Sequence, residues 1–198
     1  SIAASFSFRA PYDPSGRLFA SGLGGGSILD VGCYPVSLAR LVAGVAQGKP
    51  FDEPLEVRGV AKIGATGVDH WAAACLRFPG DILAQVSSGL EMQQENVARI
   101  YGSEGWMLLP NPWVAGREKG DPGNVVFQRG GITREVSVPV DRTSYSYEAD
   151  FFASAVLRGD LPPHPAMTPE DSLGQMATLD RWRQSIGLTY EVETPLPA

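Results

Sequence analysis

Five segments that read as strands follow one another between Glu56 and Leu109: EVRGVAKI, HWAAACLRF, ILAQVSSGLE, NVARIYG and WMLL. Turn signals punctuate them, FPGD at 78–81 and GSEG at 102–105, where glycine, proline and aspartate supply the backbone angles of tight turns. Strands joined by connections this short pair antiparallel, because a parallel neighbour needs a crossover of about a dozen residues or more. NVVFQRGGITREVSVPV adds a hairpin turning at Gly130–Gly131. Near the start, Ile2, Ala4, Phe6 and Phe8 recur at period two within IAASFSFR, the pattern of a half-buried strand.

Helical patterns flank this block. The apolar run from Ile28 to Val45 carries Ile28, Leu29, Val31, Val36, Leu38, Leu41 and Val42 at helical spacing and closes at Gly44. Pro35 lies inside it, where a missing N–H and a clash with the preceding turn cost about 3 kcal/mol if nothing yields. A kink is expected, or a short helix to about Gly32 and a longer one from about Pro35. YSYEADFFASAVLRG places Tyr147, Phe151, Phe152, Ala155 and Val156 on a helix ending before Gly159. A last helix starts at TPED, with Thr168 as N-cap, Pro169 at the first helical position and Asp171 near the capping-box site. LTYEVE reads as one final strand. The sum is an α+β fold: an open, mainly antiparallel β-sheet with helices packed on one face.

A chain of 198 residues can bury a sizeable core as one large domain or two small ones. Its net charge of −6, with scattered basic residues, argues against a nucleic-acid partner. No apolar stretch is expected to reach the roughly 18 residues that span a bilayer, so no membrane association is expected. The N-terminal stretch lacks the features of a signal peptide. With only Cys33 and Cys75, neither a disulfide framework nor a four-thiolate zinc site can form. Both cysteines are expected as buried small hydrophobes, and the cytoplasm as the compartment. His70 and His164 share no metal-like spacing with other ligands and read as structural or solvent-facing.

GGGSILDVGCYP, residues 24–35, concentrates the candidate chemistry. GLGGGS approaches G-x-G-x-x-G, but Ser27 stands where the third glycine belongs, and no apolar strand precedes it. A flexible lead-in to a helix N-terminus is expected, its free amides able to face an anion or a cofactor. Asp30 and Tyr34 lie four residues apart, on one face of an unbroken helix. A phenol that exchanges a proton and a carboxylate that orients a hydroxyl suit acid–base work on an alcohol. The same spacing also suits an aspartate favoured by the helix dipole beside a packing aromatic. As a base, the phenol needs its pKa lowered by two or three units from about 10, roughly 3–4 kcal/mol from a nearby cation. Arg9 and Arg17 flank the irregular loop before Asp30 and could reach an anion there. SYSYE and the tryptophans read as core or interface aromatics.

The line ASFSFRAPYDPSGRLFASGLGGGSILDVGCYPVSLARLVAG resembles the substrate-domain signature of the glucose–fructose oxidoreductase, inositol dehydrogenase and MocA family. FPGDILAQVSSGLE, ARIYGSEGWMLLPNPW, YEADFFASAVLRG and TPEDSLGQMATLDRWRQSIGL agree in order, so the resemblance covers nearly the whole chain. It is nearest to the dihydrodiol and xylose dehydrogenase branch. It implies that residues 1–198 are the C-terminal substrate-binding and dimerisation domain of an NAD- or NADP-dependent oxidoreductase. The substrate is expected to be a secondary alcohol of a sugar or cyclic diol. Tyr34 would be the acid/base and Asp30 the residue beside the substrate hydroxyl, with Arg9 and Arg17 lining the cleft. The cofactor would be held mainly by an N-terminal Rossmann domain, which also carries the lysine that activates the phenol. Neither lies in this chain, which is therefore expected to be a fragment of a longer enzyme, inactive alone. A homodimer through the sheet face is implied. The other class of reading is a non-catalytic ligand-binding or dimerisation module descended from such an enzyme.

Overall fold

In strand Asp69–Phe78 (β3), Ala72, Ala74, Leu76 and Phe78 are buried, while Ala73, Cys75 and Arg77 between them are exposed. This alternation sets the plan of the whole structure, because one face of the sheet carries the core and the other is left open. The computed structural model describes residues 1–161, 165–190 and 193. Its other strands are β1 (Ile2–Ser7), β2 (Glu56–Ile63), β4 (Ile82–Gly89), β5 (Val97–Tyr101), β6 (Gly105–Pro110), β7 (Gly123–Arg129) and β8 (Ile132–Val138). They form one eight-stranded sheet in the order β2-β3-β4-β1-β5-β6-β7-β8. β1 runs parallel to β4, with Ile2 opposite Ala84, and every other pairing is antiparallel. β7 and β8 turn at Gly130 and Gly131, both at positive φ (57° and 78°), as a two-residue hairpin loop requires.

Two helices cover the core face. Helix α1 (Cys33–Ala46) follows a π-helical turn at Ile28–Gly32, and α3 (Pro169–Ser185) lies beside it. The break at Gly32 is as the sequence suggests, but the α-helix resumes at Cys33 rather than Pro35. A wider turn just before the proline accommodates its missing donor without ending the helix. Thr168 caps α3, its Oγ1 accepting from the Asp171 amide at 3.2 Å. Helix α2 (Ser144–Arg158) forms as expected between Thr143 and a left-handed Gly159, but buries only Ala155; Phe152, Val156 and Leu157 are exposed.

Three expectations need correction. Cys75 is exposed, because its place in the β3 alternation points it to the open face. Leu188–Tyr190 form no strand, since Tyr190 instead donates its hydroxyl to the Gly25 carbonyl at 2.5 Å; the remainder of that segment, apart from Glu193, is outside the described residues, as is His164. Finally, Ser21–Ala46 is long and apolar enough to cross a membrane by length and composition. Half of its most apolar part is buried within this fold, and the segment is broken by left-handed Gly24 and by Gly26 at φ 118°.

Trp182 of α3 is fully buried and fills the space that two glycines leave. A Cβ on Gly59 of β2 would lie 2.7 Å from its Cδ1, and one on Gly32 of the π-turn 3.1 Å from its Cζ3. The ring therefore joins α3, the sheet and the turn at van der Waals distance. Arg40 of α1, also fully buried, binds Glu53 and Asp171 at 2.5 Å each and Gln175 at 3.2 Å, fastening α1 to α3. Gly59→Ala should force the indole aside and destabilise the fold by about 2 kcal/mol, the usual cost of overpacking. A urea midpoint equal to that of the wild type would show that the ring has room to move.

Candidate active site

The turn that carries Asp30 and Tyr34 is held at its start by a buried carboxylate. Asp69 Oδ2 accepts from Ser27 Oγ at 2.6 Å and from the Ile28 amide at 2.8 Å, and Ser27 Oγ lies 2.8 Å from Ser88 Oγ. Burial pushes the Asp69 carboxyl up to about 6, with the Ser27 and Ile28 hydrogen bonds opposing the shift. Gly26 makes this approach feasible, because a Cβ there would stand 2.2 Å from Asp69 Oδ1. The glycine run is thus shaped around a side chain of its own protein. Its amides are also engaged: Gly25 donates to the Ala20 carbonyl and Gly26 to the Leu18 carbonyl. An anion facing free amides here, one expectation from the sequence, does not fit this arrangement. These residues do not fit the phosphates of a dinucleotide either, since a carboxylate already occupies the helix start.

Beyond the anchor, Asp30 lies mostly buried, 17% of its side chain exposed, and Arg17 reaches back from the preceding loop to bind it at 2.5 Å. That contact holds the Arg17 guanidinium more firmly protonated. Tyr34, one turn on, is 47% exposed and opens to solvent. Burial of part of the ring raises its phenol above the ordinary value, and Cys33, Tyr145, Asp30 and Glu148 push in the same direction. The phenol is therefore held as the protonated form, a proton donor first. Cys33 is pushed up to about 11, chiefly by burial, so its thiol is a packing group rather than a nucleophile.

Arg17 joins Asp30, whereas Arg9 goes elsewhere. It pairs through its backbone with Glu91 and lines a 600 Å³ recess with Pro11, Tyr12 and Trp71. His70, buried beneath that recess, has Nδ1 2.9 Å from Glu91 Oε2, a structural role. Among the described residues no group of three His, Cys, Asp or Glu is placed to hold a metal ion.

The sequence did not single out the rings around Tyr34. Phe6 of β1 meets it edge-to-face at 5.2 Å between centroids, and Trp113, from the turn after β6, lies 6.2 Å away. Trp113 also stacks on Phe6 at 5.8 Å with 16° between planes. The period-two pattern of β1 signals that Phe6 faces inward. Nothing local to Trp113 signals that it reaches the same place.

The sequence and fold have counterparts among known proteins. The C-terminal domain of the GFO/IDH/MocA family matches residues 1–108. The trans-1,2-dihydrobenzene-1,2-diol dehydrogenase of Xenopus tropicalis is 28% identical over 85% of this chain and 49% of that protein. A D-xylose 1-dehydrogenase (NADP(+)) of Haloferax volcanii is 29% identical over 98% of this chain and 55% of that one. Among solved structures, KijD10, a 3-ketoreductase from Actinomadura kijaniata in complex with NADP and TDP-benzene, superposes with a TM-score of 0.76. It is 26% identical over 93% of this chain and 53% of its own. The chain spans about half the length of the relatives it matches.

The Asp69 anchor has a pH signature. Its folded pKa, about 6, lies above the ordinary 3.8, so the folded state binds a proton that the unfolded state releases. Stability from this group should fall as pH rises from about 4 to about 6, and stay at the lower level above that. The fall should be on the order of 2 kcal/mol, and Asp69→Asn should lose it. Denaturant titrations of both proteins from pH 4 to 7 measure this; parallel curves across the window would contradict the assignment.

Proposed function

Because this chain belongs to the GFO/IDH/MocA family, whose C-terminal domain it carries, we propose that it is the substrate half of a nicotinamide-dependent oxidoreductase. The reaction interconverts a secondary alcohol and a ketone on a sugar or cyclic diol. The printed activities of the relatives, dihydrodiol and xylose dehydrogenation and 3-ketoreduction, supply the substrate class. Two of them name NADP, which makes NADP the cofactor of choice.

One observation carries the reading. A phenol stands half exposed one turn from a carboxylate, against two rings that stack on each other, and opens to solvent. Tyr34 Oη gives its proton to the substrate oxygen as a carbonyl is reduced, and the same atom recovers it in the reverse direction. Asp30, steadied by Arg17, accepts a hydrogen bond from a neighbouring substrate hydroxyl and fixes the ring's orientation. A nicotinamide supplies the hydride chemistry of such reactions, and the glycine run here is no cradle for one. Cofactor binding, and the cation that alcohol oxidation demands of the phenol, are assigned to the other half of a full-length protein.

The open face of the sheet forms a 520 Å³ trough in which small or apolar side chains such as Ala3, Val60 and Ala73 stand beside Arg58, Gln85 and Arg99. We assign this face to a homodimer, in which it would be covered.

In the full-length protein, Tyr34→Phe should lower kcat by about two orders of magnitude or more, the scale of a lost general acid–base group, with the melting temperature unchanged. Oxidation of D-xylose or trans-cyclohexane-1,2-diol, followed by absorbance of the reduced cofactor, measures it. Near-normal turnover would remove Tyr34 from the chemistry. Binding of the diol without turnover in the wild type would favour the non-catalytic module.

A further inference from the structure

The turn after β6 is built to return one indole to the site. The backbone leaves Pro110 through Asn111 in a left-handed conformation, φ 47° and ψ 51°, which asparagine tolerates better than most residues. The Asn111 amide is fastened to the Asn96 carbonyl at 2.9 Å, and a short 3₁₀ turn, Pro112–Val114, follows. Trp113 then lies back across β1, its Nε1–H donating to the Ser5 carbonyl at 2.7 Å. That acceptor is free for a structural reason. The β1–β5 ladder ends at the pair Ala4–Ala98, so the indole continues the hydrogen bonding of β1 where that pairing stops.

This arrangement determines what Trp113 can offer a ligand. Its only polar atom is engaged with the backbone, so it has no hydrogen bond to give a hydroxyl. What it has left to offer is its π system, one face of which is stacked on Phe6, with its plane at 58° to that of Tyr34. Both the tether and the stacking fix the ring before any ligand arrives, so little ordering entropy remains to be lost. A rigid aromatic face beside a proton donor favours a molecule that presents a flat run of C–H groups next to its reacting hydroxyl. A six-membered ring does so; a short open-chain diol does not.

We infer that Trp113 is a specificity-determining residue that selects cyclic over acyclic substrates, by holding the ring face of the substrate beside the Tyr34 hydroxyl. The inference rests on the oxidoreductase reading for its placement in a reaction, but its binding part can be tested separately. In the full-length protein, kcat/KM is measured with NADP for trans-cyclohexane-1,2-diol and for butane-2,3-diol. Trp113→Ala should reduce the cyclic-to-acyclic ratio about tenfold, mainly through KM, while Trp113→Phe, which keeps a ring, stays within about threefold of wild type. In parallel, the Trp113 indole N–H resonance of the wild-type protein is followed as each diol is added. It should move with the cyclic diol and remain in place with butane-2,3-diol.

An unchanged ratio in Trp113→Ala, or an indole resonance that responds to both diols or to neither, overturns the inference. Turnover of neither diol together with a response to the cyclic one alone would leave the platform standing and reject the oxidoreductase reading, so the two failures are distinct.

Discussion

The carboxylate of Asp69 is the contact on which the rest of the site depends. It comes from the first residue of a core strand and receives both the hydroxyl and the backbone donor at the start of the turn bearing Asp30 and Tyr34. Burying a carboxylate is unfavourable, and its raised pKa records the fact. The arrangement survives because two donors meet it and because Gly26 leaves room for its second oxygen. Trp182 does the corresponding work further along the turn, packing where Gly32 and Gly59 have no side chain. The start of the π-turn and its end are thus fixed to the same sheet by unrelated forces, one polar and one steric. The placement of Tyr34 follows from both.

Much of the fold was legible because its signals are local. Turn residues and period-two alternation mark the strands, Gly130–Gly131 marks a hairpin, and Thr168–Pro169 marks a helix start. Errors arose where a residue's environment is decided at a distance. Cys75 was expected inside on its type, and strand parity places it outside. LTYEVE has strand composition, yet Tyr190 meets the Gly25 carbonyl, 165 positions away.

The candidate site divides along the same line. Asp30 and Tyr34 are close in sequence, so helical spacing is enough to associate them. Arg17 lies 13 positions from Asp30, within the reach of one loop. Trp113 and Ser5 are 108 positions apart, and their contact exists only because β6 ends two strands from β1 with a turn that folds back. Strand order is the missing information, and tryptophan composition cannot supply it. The glycine run misleads in the opposite way, because a phosphate and a buried aspartate both demand a bare backbone at a helix start. Only the geometry at Gly26 separates the two.

On the proposed reading, the electrostatics of this half favour one direction of reaction. Partial burial and the neighbouring Asp30 and Glu148 all raise the phenol of Tyr34, and Arg17, the cation of the preceding loop, is engaged with Asp30. A phenol in that setting readily donates a proton to an oxygen that gains charge during carbonyl reduction. Alcohol oxidation requires the phenolate instead, at roughly 3–4 kcal/mol for two or three pKa units. That stabilisation has to come from a positive charge outside these residues. Proton affinity is therefore set jointly by two halves of a larger protein, with the substrate-side half holding the proton and the other half adjusting how easily it leaves. The exposure of Tyr34 follows from this division, since a phenol sealed in hydrocarbon could not be reached by either the substrate or the cation.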